Sequence, residues 1–211
     1  HIHSDHNAGL SDLILTPWVL GRDETLKIFG PRGIKDMVYH VTKAYELDID
    51  YRINGSQPSN TKGYKSTVVE ITEGLIFKNK DLSVEAININ HGDLENSFGF
   101  KFITKDKTIV FSGDTAESNN LFRKAKDAHI LVHEVYSQAG WENKTDDWKI
   151  YHKAHHTSAV DLGYLAEKAG VKKLVLSHIL FWGSSPESVI QEAKQGFSKE
   201  VILAEDLMVI D

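Results

Sequence analysis

Apolar positions alternate between two spacings along the chain, and each spacing predicts its own element. Leu10 to Leu20 is an apolar stretch that reads as folded, and Thr25 to Phe29 reads as a strand closed by the turn Gly30-Pro31-Arg32-Gly33. From Gly33 to Leu47 the apolar residues Ile34, Met37, Val38, Val41 and Tyr45 recur at helical spacing and predict an amphipathic helix. Residues 51–65 carry Asn54-Gly55-Ser56, Pro58-Ser59-Asn60 and Gly63, a polar, turn-rich stretch that predicts an exposed loop. Short β-branched runs follow at Ser66 to Ile71, Leu75 to Lys78, Leu82 to Ile89, Ser97 to Thr104 and Thr108 to Ser112, close enough together to predict an antiparallel meander.

Beyond Asp114 the pattern changes to strand–helix alternation. Leu121 to Lys126 predicts a short helix, Ile130 to Val135 a buried strand, Ser158 to Ala169 a helix closed by Gly170, and Val171 to Ser177 another strand. Pro186 to Gln195 predicts a helix with proline in its first turn, followed by strands at Glu200 to Ala204 and Leu207 to Ile210. No internal repeat, low-complexity tract or charge block divides the chain, so one α/β domain over residues 1–211 is expected.

Composition narrows the chemistry. With 211 residues and 41% hydrophobic content a sizeable core can form, and no apolar run approaches the roughly 20 residues that span a bilayer. No signal-peptide pattern stands at the start; a cytoplasmic location is favoured, although the compartment stays open. The absence of cysteine removes disulfides, thiolate nucleophiles and Cys-based zinc sites, so any metal must be held by His and carboxylate. A net charge of -6 argues against broad non-specific nucleic-acid binding, yet leaves room for a local phosphate site beside divalent ions.

Eleven histidines supply candidate ligands. His1, His3, Asp5 and His6 form the pattern His-x-His-x-Asp-His; an extended run from His1 to Asp5 puts three of them on one face, and a turn returns His6 beside Asp5. Imidazole with carboxylate suits zinc, with manganese or iron as alternatives, and the group has more donors than one tetrahedral ion needs. Further along, His91, Asp114 in Phe111-Ser112-Gly113-Asp114-Thr115, and His178 each follow a predicted strand. Asp114 equally suits a helix cap. His40, His129, His133, His152 and His155 are expected to be surface or packing histidines.

Together with His133-Glu134 and His156-Thr157-Ser158-Ala159, these motifs run in order through essentially the whole chain, which resembles the metallo-β-lactamase superfamily and, within it, the ribonuclease Z branch. The resemblance implies an αβ/βα sandwich and a dinuclear zinc hydrolase acting on phosphodiesters, with RNA as the substrate of the branch, through a metal-bridging hydroxide that Asp5 orients. It implies that His1, His3, His91 and Asp114 hold one zinc and that Asp5, His6, His178 and the shared Asp114 hold the second. His156, with Glu134 of the His133-Glu134 pair, is implied to assist at the leaving group.

The branch carries a long tRNA-gripping arm between the motifs of His91 and Asp114; here residues 92–113 are too few for one. A lactam, lactone or sulfate ester is therefore the alternative substrate, with Trp141, Trp148 and Tyr151 on a loop as an apolar wall. A non-catalytic binding module is a third reading. The fold's first strands should lie upstream of His1, and the first methionine is Met37, so residues preceding His1 or a second chain are expected to complete the sheet. Homodimerisation is common in the family and expected.

Overall fold

The computed structural model describes residues 1–211, which form two compact units, 1–72 and 73–211. The first unit contains α1 (Ser4–Asn7), α2 (Leu10–Val19), β1 (Leu26–Gly30), α3 (Ile34–Ala44), α4 (Glu46–Asn54) and β2 (Ser66–Glu70). Strands β1 and β2 pair in parallel from Leu26–Ser66 to Gly30–Glu70. Ile14, Leu15 and Trp18 of α2 pack with Ile34, Val38 and Ile49 from α3 and α4.

Pro17 lies inside α2 and has no N–H for the carbonyl of Leu13. The guanidinium of Arg22 takes over, donating to Leu13 O at 3.2 Å and also to the carbonyls of Ile14 and Gly63. Trp18 Nε1 donates to Asn60 O at 2.9 Å, so the 55–65 loop is tied across α2. Gly63 is required there, since a Cβ would stand 1.8 Å from the carbonyl of Arg22.

Two expectations for this unit need correction. The chain is extended at His3, but Ser4–Asn7 is a helical turn, so Asp5 does not continue the alternation of His1 and His3. The helix expected over residues 33–47 ends at Ala44, and α4 occupies residues expected in part to be loop. Only Ile49 of α4 is buried, which leaves little hydrophobic period to read; Arg52 Nε–H, shared between both carboxylate oxygens of Asp48 at 2.9–3.0 Å, supports its exposed face.

The second unit contains β3 (Gly74–Lys78), β4 (Leu82–Asn88), β5 (Phe98–Thr104), β6 (Thr108–Phe111), α5 (Asn119–Lys124), β7 (Ile130–Tyr136), α6 (Gln138–Glu142), α7 (Asp146–His155), α8 (Ala159–Lys168), β8 (Lys173–Leu180), α9 (Pro186–Lys194) and β9 (Glu200–Leu203). Its seven strands lie in sequence order, antiparallel from β3 to β6 as the meander reading expects, then parallel from β6 to β9. Parallel neighbours need crossovers, and helices supply all three. The core joins Ile87, Val110, Leu131, Leu174 and Leu176 of the sheet to Leu162, Val189 and Phe197 of the helical layer.

The stretch around Trp141, Trp148 and Tyr151, expected as loop, is helical in α6 and α7. No residue of α7 is buried, so it lacks the inward apolar stripe by which a helix is recognised in sequence. Leu207 to Ile210, expected as a strand, forms none: Leu207 takes a left-handed φ of 64° and, like Val209, is exposed. No helix is long and apolar enough to cross a membrane.

Candidate active site

Parallel strands deliver their C-terminal ends to one edge, and in the second unit the chemistry gathers there. Asp114 follows β6 across Ser112-Gly113. Gly113 has φ 62°, and a Cβ on it would meet Phe98 O at 2.8 Å, so only glycine fits this turn. Ser112 Oγ accepts from Glu134 N–H at 3.0 Å, and Thr115 Oγ1 accepts from Asn90 N–H at 3.1 Å. Thr157 Oγ1 donates to Thr115 O at 2.8 Å. The buried Asp114 carboxylate is thus fixed by its neighbours' hydrogen bonds, and no helix start uses it as a cap; Ser118 caps α5.

His178 does not close its strand as expected, because β8 continues to Leu180. The pairing steps from Glu134–Ser177 to Val135–Ile179, leaving His178 as the extra residue of a bulge with φ 45°. A bulge re-aims a side chain, and a left-handed non-glycine at such a point is a strain that surrounding structure must hold. The imidazole lies with Nε2 3.5 Å from Asp114 Oδ2. Asp114, His156 and His178 offer donor atoms all within 4.8 Å of one another, and the His156 ring stacks on that of His178.

His91 donates from Nδ1 to His155 O at 2.9 Å, which fixes the tautomer whose Nε2 carries the lone pair a metal takes. Burial lowers its pKa to about 4, so it stays in the neutral, ligating form at pH 7. Gly92 N–H donates to Ala154 O at 3.0 Å, and a Cβ at Gly92 would collide with the His155 ring, so the end of α7 seats directly on residues 91–92.

Glu134 and His156 form a second constellation beside this one. Glu134 Oε1 accepts from Thr157 N–H at 2.8 Å, and Oε2 pairs with His156 Nδ1 at 3.2 Å. Burial, with the charge of Asp114, holds the Glu134 carboxyl well above the usual range, against the opposing pull of the Thr157 N–H and His178. His133 points the other way along β7, fully buried and stacked on Phe122, its Nδ1 donating to Glu134 O. Only the second residue of the pair therefore faces His156.

In the first unit the helical turn of α1 gathers the N-terminal candidates. The His1 ring centroid lies 4.8 Å from that of His3 and 4.3 Å from that of His6, and His6 Nε2 is 3.5 Å from Asp5 Oδ2. Asn7 Nδ2 donates to His3 O at 2.8 Å and steadies the turn. The sequence reading missed the roles of His155, Gly92, Thr115 and Ser112, which act through a backbone carbonyl, the absence of a Cβ, and hydroxyls that hold neighbouring backbone. Proximity in sequence to His156, His91 and Asp114 was the one available signal.

Residues 1–179 match the family described as the beta-lactamase superfamily domain. The chain is 31% identical to a ribonuclease Z of Mycobacterium sp. (strain KMS), over 98% of this chain and 74% of that protein. It is 27% identical to a ribonuclease Z of Methanosarcina acetivorans, over 100% of this chain and 78% of the relative. Among solved structures, the metallo-β-lactamase fold protein YhfI of Bacillus subtilis aligns with TM-score 0.70 at 20% identity, and the short form of human tRNase Z with TM-score 0.67 at 23%. Both alignments cover 100% of this chain, with 75% of the first structure and 76% of the second. The chain therefore belongs to the β-lactamase superfamily domain family, on its ribonuclease Z branch, and is a hydrolase of the metallo-β-lactamase fold.

Proposed function

We propose that the chain is a dinuclear zinc phosphodiesterase of the ribonuclease Z kind, an endoribonuclease that cuts RNA. The observation that carries this reading is the buried Glu134–His156 pair beside Asp114 and His178. A departing ribose alkoxide needs a proton, whereas opening a lactam or lactone depends less on so well placed an acid.

The donor set fits zinc: it is entirely imidazole and carboxylate, and His91 carries the carbonyl-held Nδ1 typical of a metal-ligating histidine. We assign His1, His3, His91 and Asp114 to one ion and Asp5, His6, His178 and the shared Asp114 to the other, with Asp5 also orienting the attacking water. When bound, the ions act as Lewis acids that make water acidic enough to attack and neutralise charge on the phosphorus centre.

His156 protonates the leaving oxygen from Nε2. Either protonation state of Glu134 serves this step: the carboxylate accepts from Nδ1–H of an imidazolium that gives up its Nε2 proton, and the neutral acid donates to Nδ1 and transfers its own proton there as Nε2–H is given up, so no imidazolate forms. Thr157 N–H keeps the other carboxyl oxygen in place. A homodimer is part of the proposal, and light scattering of the zinc-loaded protein tests it.

The deciding experiment offers zinc-loaded protein a precursor tRNA with a 3′ trailer, bis(p-nitrophenyl) phosphate and a chromogenic β-lactam. Removal of the trailer together with diester turnover is expected. Lactam turnover without diester turnover would replace the proposal by the carbonyl-hydrolase reading. Asp114→Ala should lose bound zinc and activity together; two zinc ions retained per chain would refute the shared-ligand assignment.

A further inference from the structure

Helix α7 has no buried residue, yet one of its faces is a continuous stripe of rings. Trp148 stacks on His152 (5.3 Å between centroids, 21° between planes), and Tyr151 stacks on His155 (4.1 Å, 23°). His152 lies 4.3 Å from Trp182, and the His155 ring meets that of His91 edge-on at 5.0 Å. These positions, 148, 151, 152 and 155, are i, i+3, i+4 and i+7 of one helix. The stripe thus runs from the second unit's edge of the candidate active site out to Trp148, which is 54% exposed. Tyr151 is 41% exposed.

The bland alternative is that these rings only fasten α7. Fastening is already provided by the Gly92–Ala154 and His91–His155 hydrogen bonds and by Trp141 Nε1 donating to Lys149 O at 3.2 Å. Trp148, at the far end, leaves half its surface in water, which contributes little to fastening. Burial lowers the pKa of His152 to about 4, so it is a neutral ring and not a cation at pH 7.

We propose that this ring stripe is a stacking platform for the unpaired bases of a single-stranded RNA segment next to the scissile phosphate, in a chain too short between His91 and Asp114 for a gripping arm. Two features favour RNA over a small aryl ester. Positions 148 to 155 span about 10 Å along the helix, enough for more than one ring, whereas a small ester needs one ring at the site itself. Lys144 lies 4.7 Å from the Trp182 ring, which itself meets His152 of the stripe, and Lys149 stands about a quarter-turn from Trp148 at 5.5 Å from the Trp141 ring, so two cations border one side of the stripe where phosphates would run. Of the acidic residues of α7, Asp146 lies on the opposite face from Trp148, and Asp147 lies about a quarter-turn from Trp148 on the Tyr151 side, away from Lys149.

The inference rests on the phosphodiesterase reading but is tested by binding. Zinc-loaded protein is titrated with a short oligoadenylate and with an abasic strand of equal length and charge, following tryptophan fluorescence and anisotropy. The base-bearing strand should bind about tenfold tighter or more, as expected for one well-stacked base. Trp148→Ala should close that gap, and Trp148→Phe should keep most of it. Equal binding of the two strands, binding of neither, or a gap that survives Trp148→Ala would overturn the platform. Diester cleavage with no preference for bases would sink this inference alone; a base preference without any diester cleavage would sink the reaction proposed above and leave the platform.

Discussion

At the scale of single residues, proton position decides what can be predicted. If His156 supplies the leaving-group proton, His156→Ala should lower kcat by about 10²- to 10⁴-fold on RNA, whose alkoxide must be protonated. The loss should be much smaller on bis(p-nitrophenyl) phosphate, whose phenolate leaves unaided, and equal losses on both would remove His156 from the acid role. Glu134→Gln should be milder than Glu134→Ala, because the amide oxygen can still accept from Nδ1–H and orient the imidazolium that gives up its Nε2 proton. His133 makes a separate prediction about stability. Burial lowers its pKa from 6.5 to about 4 in the folded chain, so the unfolded chain takes up the proton first as pH falls. Its effect is nil above pH 6.5, and stability is lost progressively down to pH 4, by about 2 kcal/mol at pH 5. Urea unfolding at pH 7 and pH 5 should show that loss, and His133→Leu should abolish its share.

At the scale of elements, the piece that carries the exposed rings is anchored by one buried carboxylate. Glu192 of α9 accepts from Gln138 N–H at 2.8 Å, Ala139 N–H at 3.1 Å and Ser137 Oγ at 3.1 Å, which caps α6 from across the fold. Removing it strands two backbone donors, each costing about 1–3 kcal/mol if no water replaces the partner, while the Ser137 hydroxyl keeps Ser184 Oγ at 2.7 Å. Glu192→Ala should therefore destabilise the protein more than Glu192→Gln, and should raise KM for RNA more than it lowers kcat, since α6 braces α7 through Trp141. An unchanged urea midpoint would show that water substitutes for the carboxylate. This element also marks where sequence reading failed. Strands β3 to β8 were legible because apolar residues recur at short, bounded intervals, and the metal-competent residues because His and Asp fall in short motifs such as His-x-His-x-Asp-His. Helices α4 and α7 were not, since neither turns a continuous apolar face inward. The bulge at His178 left no sequence signal at all, because it is set by pairing with β7.

At the scale of the whole molecule, the order of motifs made the family legible, while the substrate hinges on how a chain of net charge -6 holds a polyanion. A protein that gripped RNA with a long basic arm would release many counterions, and its affinity would fall steeply with salt. Here the cations beside the ring stripe are Lys144 and Lys149, and a single strand contributes a slope of about -0.7 per neutralised phosphate. The logarithm of the binding constant for oligoadenylate should then fall against the logarithm of salt concentration with a slope of about -1.4. Stacking is not screened, so a large residual affinity should persist at high salt, where an arm-based grip would have vanished. Replacing both lysines by glutamine should flatten the slope towards zero while the preference for base-bearing over abasic strands remains. A slope steeper than about -4 would mean that basic surface elsewhere on the chain carries the RNA, and that α7 contributes rings without the charges beside them.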